Sequence, residues 1–331
     1  MSGWKEDMIH ALREAGDGYL NGAELAKRFG CTRSAIWKKM SVLRDEGYSI
    51  EAIPNRGYRL GSEADRFRAK VLECLSADPS VAGFFTVHVT DVTESTNRNA
   101  REAAEAGAPE NNVFVGLYQQ SGRGRRGRSW VSAPGEGLCF SILIRPRIST
   151  ERSGMLSLLF GLCVYKAITA LYPVRIGIKW PNDIVTLMNG KKLCGILSET
   201  SFEEDRLSYA VIGCGINILQ SRFPEPLREI ATSLLMEGVP DPSAPILLAG
   251  VLKEFSRSYS TFVSDPAGFL DEYRRNCATL GREVMIVGVN QRIATAINVS
   301  DRGELMIRFS DGAEALVNAG EVSVRGMEGY L

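Results

Sequence analysis

Ten consecutive residues concentrate the chemistry of this chain: Ser121-Gly122-Arg123-Gly124-Arg125-Arg126-Gly127-Arg128-Ser129-Trp130. Four arginines interleave three glycines. Glycines let backbone amides approach a ligand closely, and guanidinium groups give forked donors to phosphate or carboxylate oxygens. Such a segment wraps an anion. Without one, its like charges repel, so the loop is expected to be mobile until an anion arrives and to order on it. A basic solvated tail is the plainer reading, but the segment lies between two apolar stretches, a poor place for a tail. Gly122-x-Gly124-x-x-Gly127 matches the spacing of a dinucleotide fingerprint, yet that fingerprint opens a helix, and Pro134 and Gly135 break one here. Arginines also stand where that turn needs tight helix packing. Neither a kinase catalytic loop with Asp-Phe-Gly nor a Walker-type Gly-x-x-x-x-Gly-Lys occurs.

Further clusters bring polar groups to the ends of strands and helices. Lys179-Trp180-Pro181-Asn182-Asp183-Ile184 places an amine, an amide and a carboxylate around one turn. The set suits a nucleoside triphosphate with Mg²⁺, with Lys179 as phosphate counter-charge and Asn182 and Asp183 near the metal or ribose. A plain turn after a strand-end lysine explains it equally well. Lys191-Lys192-Leu193-Cys194-Gly195-Ile196-Leu197 reads as a strand whose inward amine can meet a carboxylate or phosphoryl group, with Gly195 permitting close approach. Thr93-Glu94-Ser95-Thr96-Asn97 puts polar groups at a helix start, where simple capping is the rival reading. Gly213-Cys214-Gly215-Ile216-Asn217 closes a strand with small residues and one amide. His10 and His88 are the two histidines, so the chemistry falls to Lys, Arg and backbone amides. The seven cysteines form no Cys-x-x-Cys pair, so no zinc cluster or permanently bound metal is expected. They lie mostly in apolar runs and read as buried thiols of a reducing cytoplasm.

Elements must position these groups. Met8, Ile9, Leu12 and Leu20 suggest a helix and its exit. Asn21-Gly22-Ala23-Glu24 resembles a capping box opening a second helix to Gly30, and Thr32 caps a third that carries Ile36, Met40 and Leu43 and ends at Gly47. Two short helices about a tight turn have helix-turn-helix spacing, and Tyr48–Ile53, Pro54–Gly57 and Tyr58–Leu60 add a hairpin wing. From Leu25 to Arg44 there are six basic residues and no acidic one. Arg33, Ser34 and Trp37 front the third helix for a major groove, with Lys38, Lys39 and Arg56 for phosphates; a solvated basic face is the alternative. Gly61-Ser62-Glu63-Ala64 marks a boundary, followed by a short helix and linker through residue 82. Strands are expected at Phe84–Val89, Val113–Tyr118, Leu138–Ile144, Val174–Lys179, Ile184–Leu187, Lys192–Leu197 and Leu207–Gly213. Helices are expected at Ser95–Ala106, Met155–Leu171, 246–263 and 267–277. Asn189-Gly190 signals a hairpin. Residues 281–325 show short strands separated by turns at Gly288–Asn290, Asp301–Gly303 and Asp311-Gly312, the spacing of a small β-barrel.

Composition sets outer bounds. At about 100–200 residues per domain, 331 residues suggest two or three domains, and 44% hydrophobic content excludes disorder as the main theme. Thirty-nine basic residues balance thirty-nine acidic ones, which excludes a globally basic coat but not a local patch. Met155–Leu171 is the most apolar stretch and is interrupted by Lys166, so no membrane span is expected. Met1–Asp7 lacks the features of a signal peptide. A cytoplasmic location follows as the expectation.

Taken together, Gln119-Gln120-Ser121-Gly122-Arg123-Gly124-Arg125-Arg126-Gly127-Arg128, Lys179-Trp180-Pro181-Asn182-Asp183, Lys192-Leu193-Cys194-Gly195-Ile196 and Gly215-Ile216-Asn217 resemble the biotin–protein ligases. With the N-terminal winged helix, the chain resembles their bifunctional bacterial type, which also represses the biotin operon. The resemblance covers essentially the whole chain. It implies an α+β architecture: a winged helix-turn-helix DNA-binding domain at 1–62, a linker at 63–82, a mixed α/β ligase domain at 83–277 and an SH3-like β-barrel at 278–331.

The resemblance also implies a two-step adenylation. The biotin carboxylate attacks the α-phosphate of ATP to give biotinyl-5′-AMP, and a lysine of a biotin carboxyl carrier protein then attacks the anhydride. By motif position, Ser95, Thr96, Asn97, Gln119, Gly122, Arg123, Gly124, Arg125 and Lys192 would hold biotin. Arg125, Arg128, Trp130, Lys179, Asn182, Asp183 and Asn217 would serve ATP and Mg²⁺, with Trp130 stacked near adenine. Arg125, Lys179 and Lys192 would be catalytic. One departure is Ser129, which stands where the best-known bacterial form has a lysine and leaves that residue's loop contact open. The adenylate would favour a homodimer through sheet edges and so set two winged helices on a two-part operator DNA. Two other classes stay in view: a DNA-binding sensor without ligase activity, and a lipoate ligase.

Overall fold

Backbone contacts divide the chain into two units, Met1–Lys70 and Val71–Leu331. The computed structural model describes residues 4–331 except 17, 46–47, 49, 132, 204–205, 266, 288–291, 320–322 and 327–329.

In the first unit, α1 (Trp4–Glu14), α2 (Gly22–Arg28) and α3 (Arg33–Asp45) pack Met8, Leu12, Leu25, Ile36, Met40 and Leu43 into one apolar cluster. Asn21 caps α2 with its Oδ1 accepting from the Ala23 amide at 2.8 Å, one residue short of the Glu24 amide that a capping box uses. Thr32 Oγ1 accepts from the Ala35 amide at 3.2 Å, as its place before α3 predicts. The wing is an antiparallel pair, β1 (Ile50–Ile53) and β2 (Gly57–Leu60), and Leu20 exchanges backbone hydrogen bonds with Tyr58 to extend it. The expected helix stop at Gly47 lies outside the described residues.

The segment 63–82 is not mainly a linker. Residues Glu63–Ser76 form α4. Its start was legible as a cap, since the Ser62 hydroxyl accepts from the Asp65 amide and Asp65 Oδ2 accepts from the Ser62 amide, both at 3.1 Å.

The second unit is built on a seven-stranded sheet in the order β3-β4-β5-β9-β8-β7-β6. The strands are β3 (Thr86–Thr93), β4 (Asn112–Gln119), β5 (Gly137–Ile144), β6 (Ile176–Lys179), β7 (Asp183–Thr186), β8 (Lys192–Glu203) and β9 (Arg206–Asn217). β3 and β4 pair in parallel, and the rest of the sheet is antiparallel. β3 starts and ends later than its own residues suggest because its pairing with β4 carries it to Thr93. Helix α5 (Thr96–Glu105) covers one face, where Ala100 and Ala104 meet Leu143 and Val211. The other face lies on α6 (Met155–Leu171), behind which pack α7 (Ala244–Ser264) and α8 (Leu270–Asn276). Ile196 reaches Gly161 of α6 there. By length and composition, residues 150–171 could cross a membrane, but eleven residues of α6 are buried within this core. The helix expected at 267–277 begins only at Leu270, after a turn through Gly268.

At the C-terminus, β10 (Glu283–Val287), β11 (Arg292–Val299), β12 (Leu305–Arg308), β13 (Glu314–Val317) and β14 (Ser323–Gly326) form an antiparallel sheet ordered β13-β12-β11-β10-β14. Of the expected turns, Gly303 and Gly312 have positive φ, and Gly288–Asn290 lie outside the described residues. Trp180 fastens this sheet to the larger one, its Nε1 donating to the Gly303 carbonyl at 3.0 Å.

Candidate active site

Two adjoining cavities lie on the α5 face of the large sheet. The smaller holds ≈ 50 Å³ and is lined by Ser95, Thr96, Asn97, Gln119 and Arg123 and by the strand backbones around Gly195, Gly213 and Gly215. The larger holds ≈ 420 Å³ and is lined by Arg126, Arg128, Lys179, Asp183, Asn217 and Tyr330 among others. Gly124, Arg125, Trp130, Asn182 and Lys192 line both.

Alternation along β9 explains the floor. Gly213, Gly215 and Asn217 share one face. A Cβ at Gly213 would stand 1.9 Å from Asn97 Oδ1, and one at Gly215 would stand 2.3 Å from Trp130 Cε2. Only glycine lets the amide and the indole lie flat on the strand. The rival capping reading does not hold for Ser95, which occupies the N-cap of α5 with no side-chain capping bond. Its neighbours form a buried polar network. Gln119 Oε1 accepts from the Thr96 amide at 2.8 Å. Ser141 Oγ lies 2.7 Å from Thr96 Oγ1 and 2.6 Å from Asn97 Oδ1. Asn97 Nδ2 donates to Glu199 Oε2 at 2.6 Å.

Lys192 arrives by a different device. Residues 192 and 195 would face opposite sides of a regular strand, but the pairing of β7 with β8 shifts between Ile184 and Val185. That bulge restores the parity, and a Cβ at Gly195 would meet the Lys192 amine at 2.8 Å. Lys192 Nζ stands 2.7 Å from Asp183 Oδ1. Burial pushes the Asp183 carboxyl up, but Lys192 and Lys179, with a hydrogen bond from Tyr330, outweigh it and hold the group below the ordinary carboxylate range. Lys179 is only 4% exposed, which excludes a solvated strand-end lysine. Its ammonium donates to the Tyr330 carbonyl and sits 3.5 Å from the centroid of that ring.

The arginine loop closes on itself, with Gly124 N donating to the Arg128 carbonyl at 2.7 Å and Trp130 N to the Gly122 carbonyl at 2.8 Å. Arg125 Nη1 donates to Asn182 Oδ1 at 2.9 Å, and Nη2 to the Ala319 carbonyl. Burial lowers the Arg125 pKa from its usual value, aided by Arg126 and Arg128 and opposed by Asp183. Trp130 lies on Gly195 and Gly215 between the cavities.

Every residue expected at the site lines one cavity or the other except Gly122, which serves the loop's closure. Lys191 turns away, its amine donating to the Arg228 carbonyl at 2.8 Å. Sequence reasoning missed three contributors. Ser141 could have been found as the lone hydroxyl in the buried apolar strand Gly137–Ile144. Glu199 carries the weaker signal of a carboxylate following the Lys192–Leu197 motif on the same strand. Tyr330, 147 residues from Asp183, gives no local signal. All seven cysteines are free thiols, and burial pushes Cys163 up to about 12.

On the first unit, Arg33, Ser34, Lys38 and Arg56 are exposed, and Trp37 is 59% exposed. Lys39 is half-buried, its ammonium 4.1 Å from the Trp4 ring centroid, and Arg56 stacks 4.8 Å from that of Tyr19.

The sequence profile of the Biotin/lipoate A/B protein ligase family matches residues 89–217, and that of an HTH domain matches residues 5–59. The "Bifunctional ligase/repressor BirA" of Bacillus spizizenii is 33% identical over 328 residues, covering 95% of this chain and 97% of its own. The chain belongs to the bifunctional biotin–protein ligases. A further relative, the "Biotin--[acetyl-CoA-carboxylase] ligase" of Mycobacterium tuberculosis, is 30% identical over 271 residues, covering 79% of this ligase and 98% of its own length. Among solved structures, the biotin protein ligase of Aquifex aeolicus in complex with biotin and ATP matches with a TM-score of 0.62 at 27% identity, covering 73% of this ligase and 99% of that chain. The cavities therefore lie in a biotin-ligase α/β domain, and the first unit is its HTH domain.

Proposed function

We propose that this ligase joins biotin to ATP as biotinyl-5′-AMP and passes the biotinyl group to a lysine of a biotin carboxyl carrier protein. The junction of the two cavities carries the reading: a pocket that gathers the neutral polar groups of Ser95, Thr96, Asn97 and Gln119, with Arg123, meets one rich in cations at Arg125 and Lys192. Biotin is a neutral ring system on an acyl chain that ends in a carboxylate. With its ring among Ser95, Thr96, Asn97 and Gln119, its carboxylate would reach Lys192 and Arg125, beside Arg123 and Gly124. The nucleotide would take the larger cavity, with Lys179 and Arg128 at its phosphates, Asn182 and Asn217 beside them and Trp130 near the base. Mg²⁺ carried with the phosphates would supply charge neutralisation. Hard oxygen donors suit it, and Asn182, Asp183 and Asn217 line that cavity.

In the first step a carboxylate oxygen bonds to the α-phosphorus, the bond to the β-bridging oxygen breaks and pyrophosphate leaves. In the second, the carrier amine bonds to the acyl carbon, AMP leaves and the amine loses a proton. Neither step needs a protein nucleophile. Arg125, Lys179 and Lys192 act by positioning and by neutralising charge at the α-phosphate. The arginine loop would order over the adenylate.

The chain reads as four segments, 1–62, 63–82, 83–277 and 278–331, with α4 filling most of the second and the C-terminal sheet read as an SH3-like barrel. Arg33, Ser34, Trp37, Lys38, Lys39 and Arg56 would meet operator DNA. Adenylate-bound copies would pair through the edges of the large sheet to present two such units. The free cysteines support a reducing cytoplasm.

Biotin-dependent exchange of pyrophosphate into ATP tests the enzyme. Biotin binding without exchange would favour the sensor, and displacement of biotin by lipoic acid at equal concentration would favour a lipoate ligase.

A further inference from the structure

We infer that Glu199, which lies outside the lining of both cavities, sets the selectivity of the biotin pocket by fixing the direction of its hydrogen bonds; the inference rests on the biotin reading above. An ionised carboxylate only accepts. Glu199 Oε2 stands 2.6 Å from Asn97 Nδ2, whose amino group also points at the Leu197 carbonyl at 3.4 Å. The amide therefore presents its nitrogen to β8 and its oxygen to Ser141. The flip, which an isolated asparagine leaves open, is decided from outside the pocket. Arg101 Nη1, 4.0 Å from Glu199 Oε1, flanks the carboxylate's other oxygen.

The protons then fall in one order. Asn97 Oδ1 can only accept, and Ser141 Oγ lies 2.6 Å away, so the Ser141 hydroxyl donates there. Ser141 is fully buried, and its hydroxyl also faces Thr96 Oγ1 as donor, at 2.7 Å. Thr96 Oγ1 in turn donates to Gln119 Oε1 at 3.1 Å. Donors run from Ser141 to Asn97 to Glu199 on one side and from Thr96 to Gln119 on the other. The pocket wall keeps spare acceptor capacity at the Thr96 and Asn97 oxygens. A ring with N–H donors fits it. The cyclic urea of biotin has two, and the dithiolane of lipoate has none. A site that expects donors rejects a ligand lacking them because its own polar groups stay unpaired. Glu199 acts through Asn97 and is a positioning residue.

The test uses the full chain with Glu199→Ala and Glu199→Gln, measuring biotin Kd by titration calorimetry and both KM values by pyrophosphate exchange. Glu199→Ala is expected to raise biotin Kd and KM by about 10-fold or more, the scale of losing a hydrogen bond to a charged group. The KM for ATP and kcat should stay within about twofold. Glu199→Gln keeps an acceptor for Asn97 and should restore biotin binding to within about threefold of the unaltered chain. In an Asn97→Ala background, Glu199→Ala should add less than about twofold, since its whole effect passes through Asn97. Unchanged biotin Kd in Glu199→Ala, an equal rise in the KM for ATP, or no rescue by glutamine would overturn the assignment. Failure of the unaltered chain to bind biotin would remove both this inference and the reading beneath it.

Discussion

Charge at this site is arranged in pairs that a ligand must break into. Arg125 spends one donor on Asn182 and another on the Ala319 carbonyl, so it links the loop, the Asn182 turn and the C-terminal sheet through one guanidinium. Arg125→Gly removes that link. Release of free biotinyl-AMP should quicken by about 10- to 100-fold, the cost of one or two hydrogen bonds to a charged group. Stopped-flow or filter retention would show it, and unchanged retention would count against the role. Asp183 gives a pH prediction. Its folded-state pKa lies below the unfolded value of about 3.9. The stability it contributes is therefore present above the unfolded pKa and lost as pH falls through the folded one. Urea midpoints should show an acid-side decline that is shallower in Asp183→Asn, with no pH dependence from this group above about pH 5, where its contribution is complete.

Among the elements, β9 and α5 do most to shape the pocket. The glycines of β9 make a flat shelf, so Asn97 and Trp130 lie on backbone rather than on side chains. A methyl at Gly215 would fall 2.3 Å from the indole, and the strand cannot retreat because β5 and β8 pair with it on both sides. The indole must leave instead. Gly215→Ala should therefore weaken substrate binding by about 10-fold or more while Tm shifts by only a few degrees, because the displaced ring can swing into the larger cavity. Intrinsic tryptophan fluorescence and thermal melts would separate these outcomes. The bulge that brings Lys192 over Gly195 is a second such device, invisible in a strand pattern that counts only alternation.

At the scale of the whole molecule, the chain's end returns to the site. Tyr330 donates its hydroxyl to Asp183 and gives its carbonyl and ring to Lys179. Burial and the nearby Asp183 charge push its phenol well above the usual range, so it stays a neutral donor. If Lys179 meets the nucleotide phosphates as proposed, they must compete with Tyr330 for it. A site in which the competent state is a minority binds more weakly by that fraction. Truncation after residue 329 should lower the KM for ATP by about 3- to 10-fold with biotin Kd unchanged. A higher KM would instead make Tyr330 part of the nucleotide site.

The arginine-glycine loop, the Lys179–Asp183 turn, the buried helix at Met155–Leu171 and the helix-turn-helix with its wing were all legible in the sequence. Each rests on local rules: residue type, spacing, caps and turn chemistry act over a few residues. Where Glu199, Ser141 and Tyr330 would lie was settled by folding alone. Asn97 meets Glu199 across 102 residues and Lys179 meets Tyr330 across 151, and contacts that distant exist only once strand order is fixed. The same holds for the bulge at Lys192 and the late start of β3, which pairing with a neighbouring strand imposes. Sequence alone named the groups proposed for the chemistry; the sheet chose which of them share a cavity, because a pocket is a property of what lies opposite in space and not of what comes next along the chain.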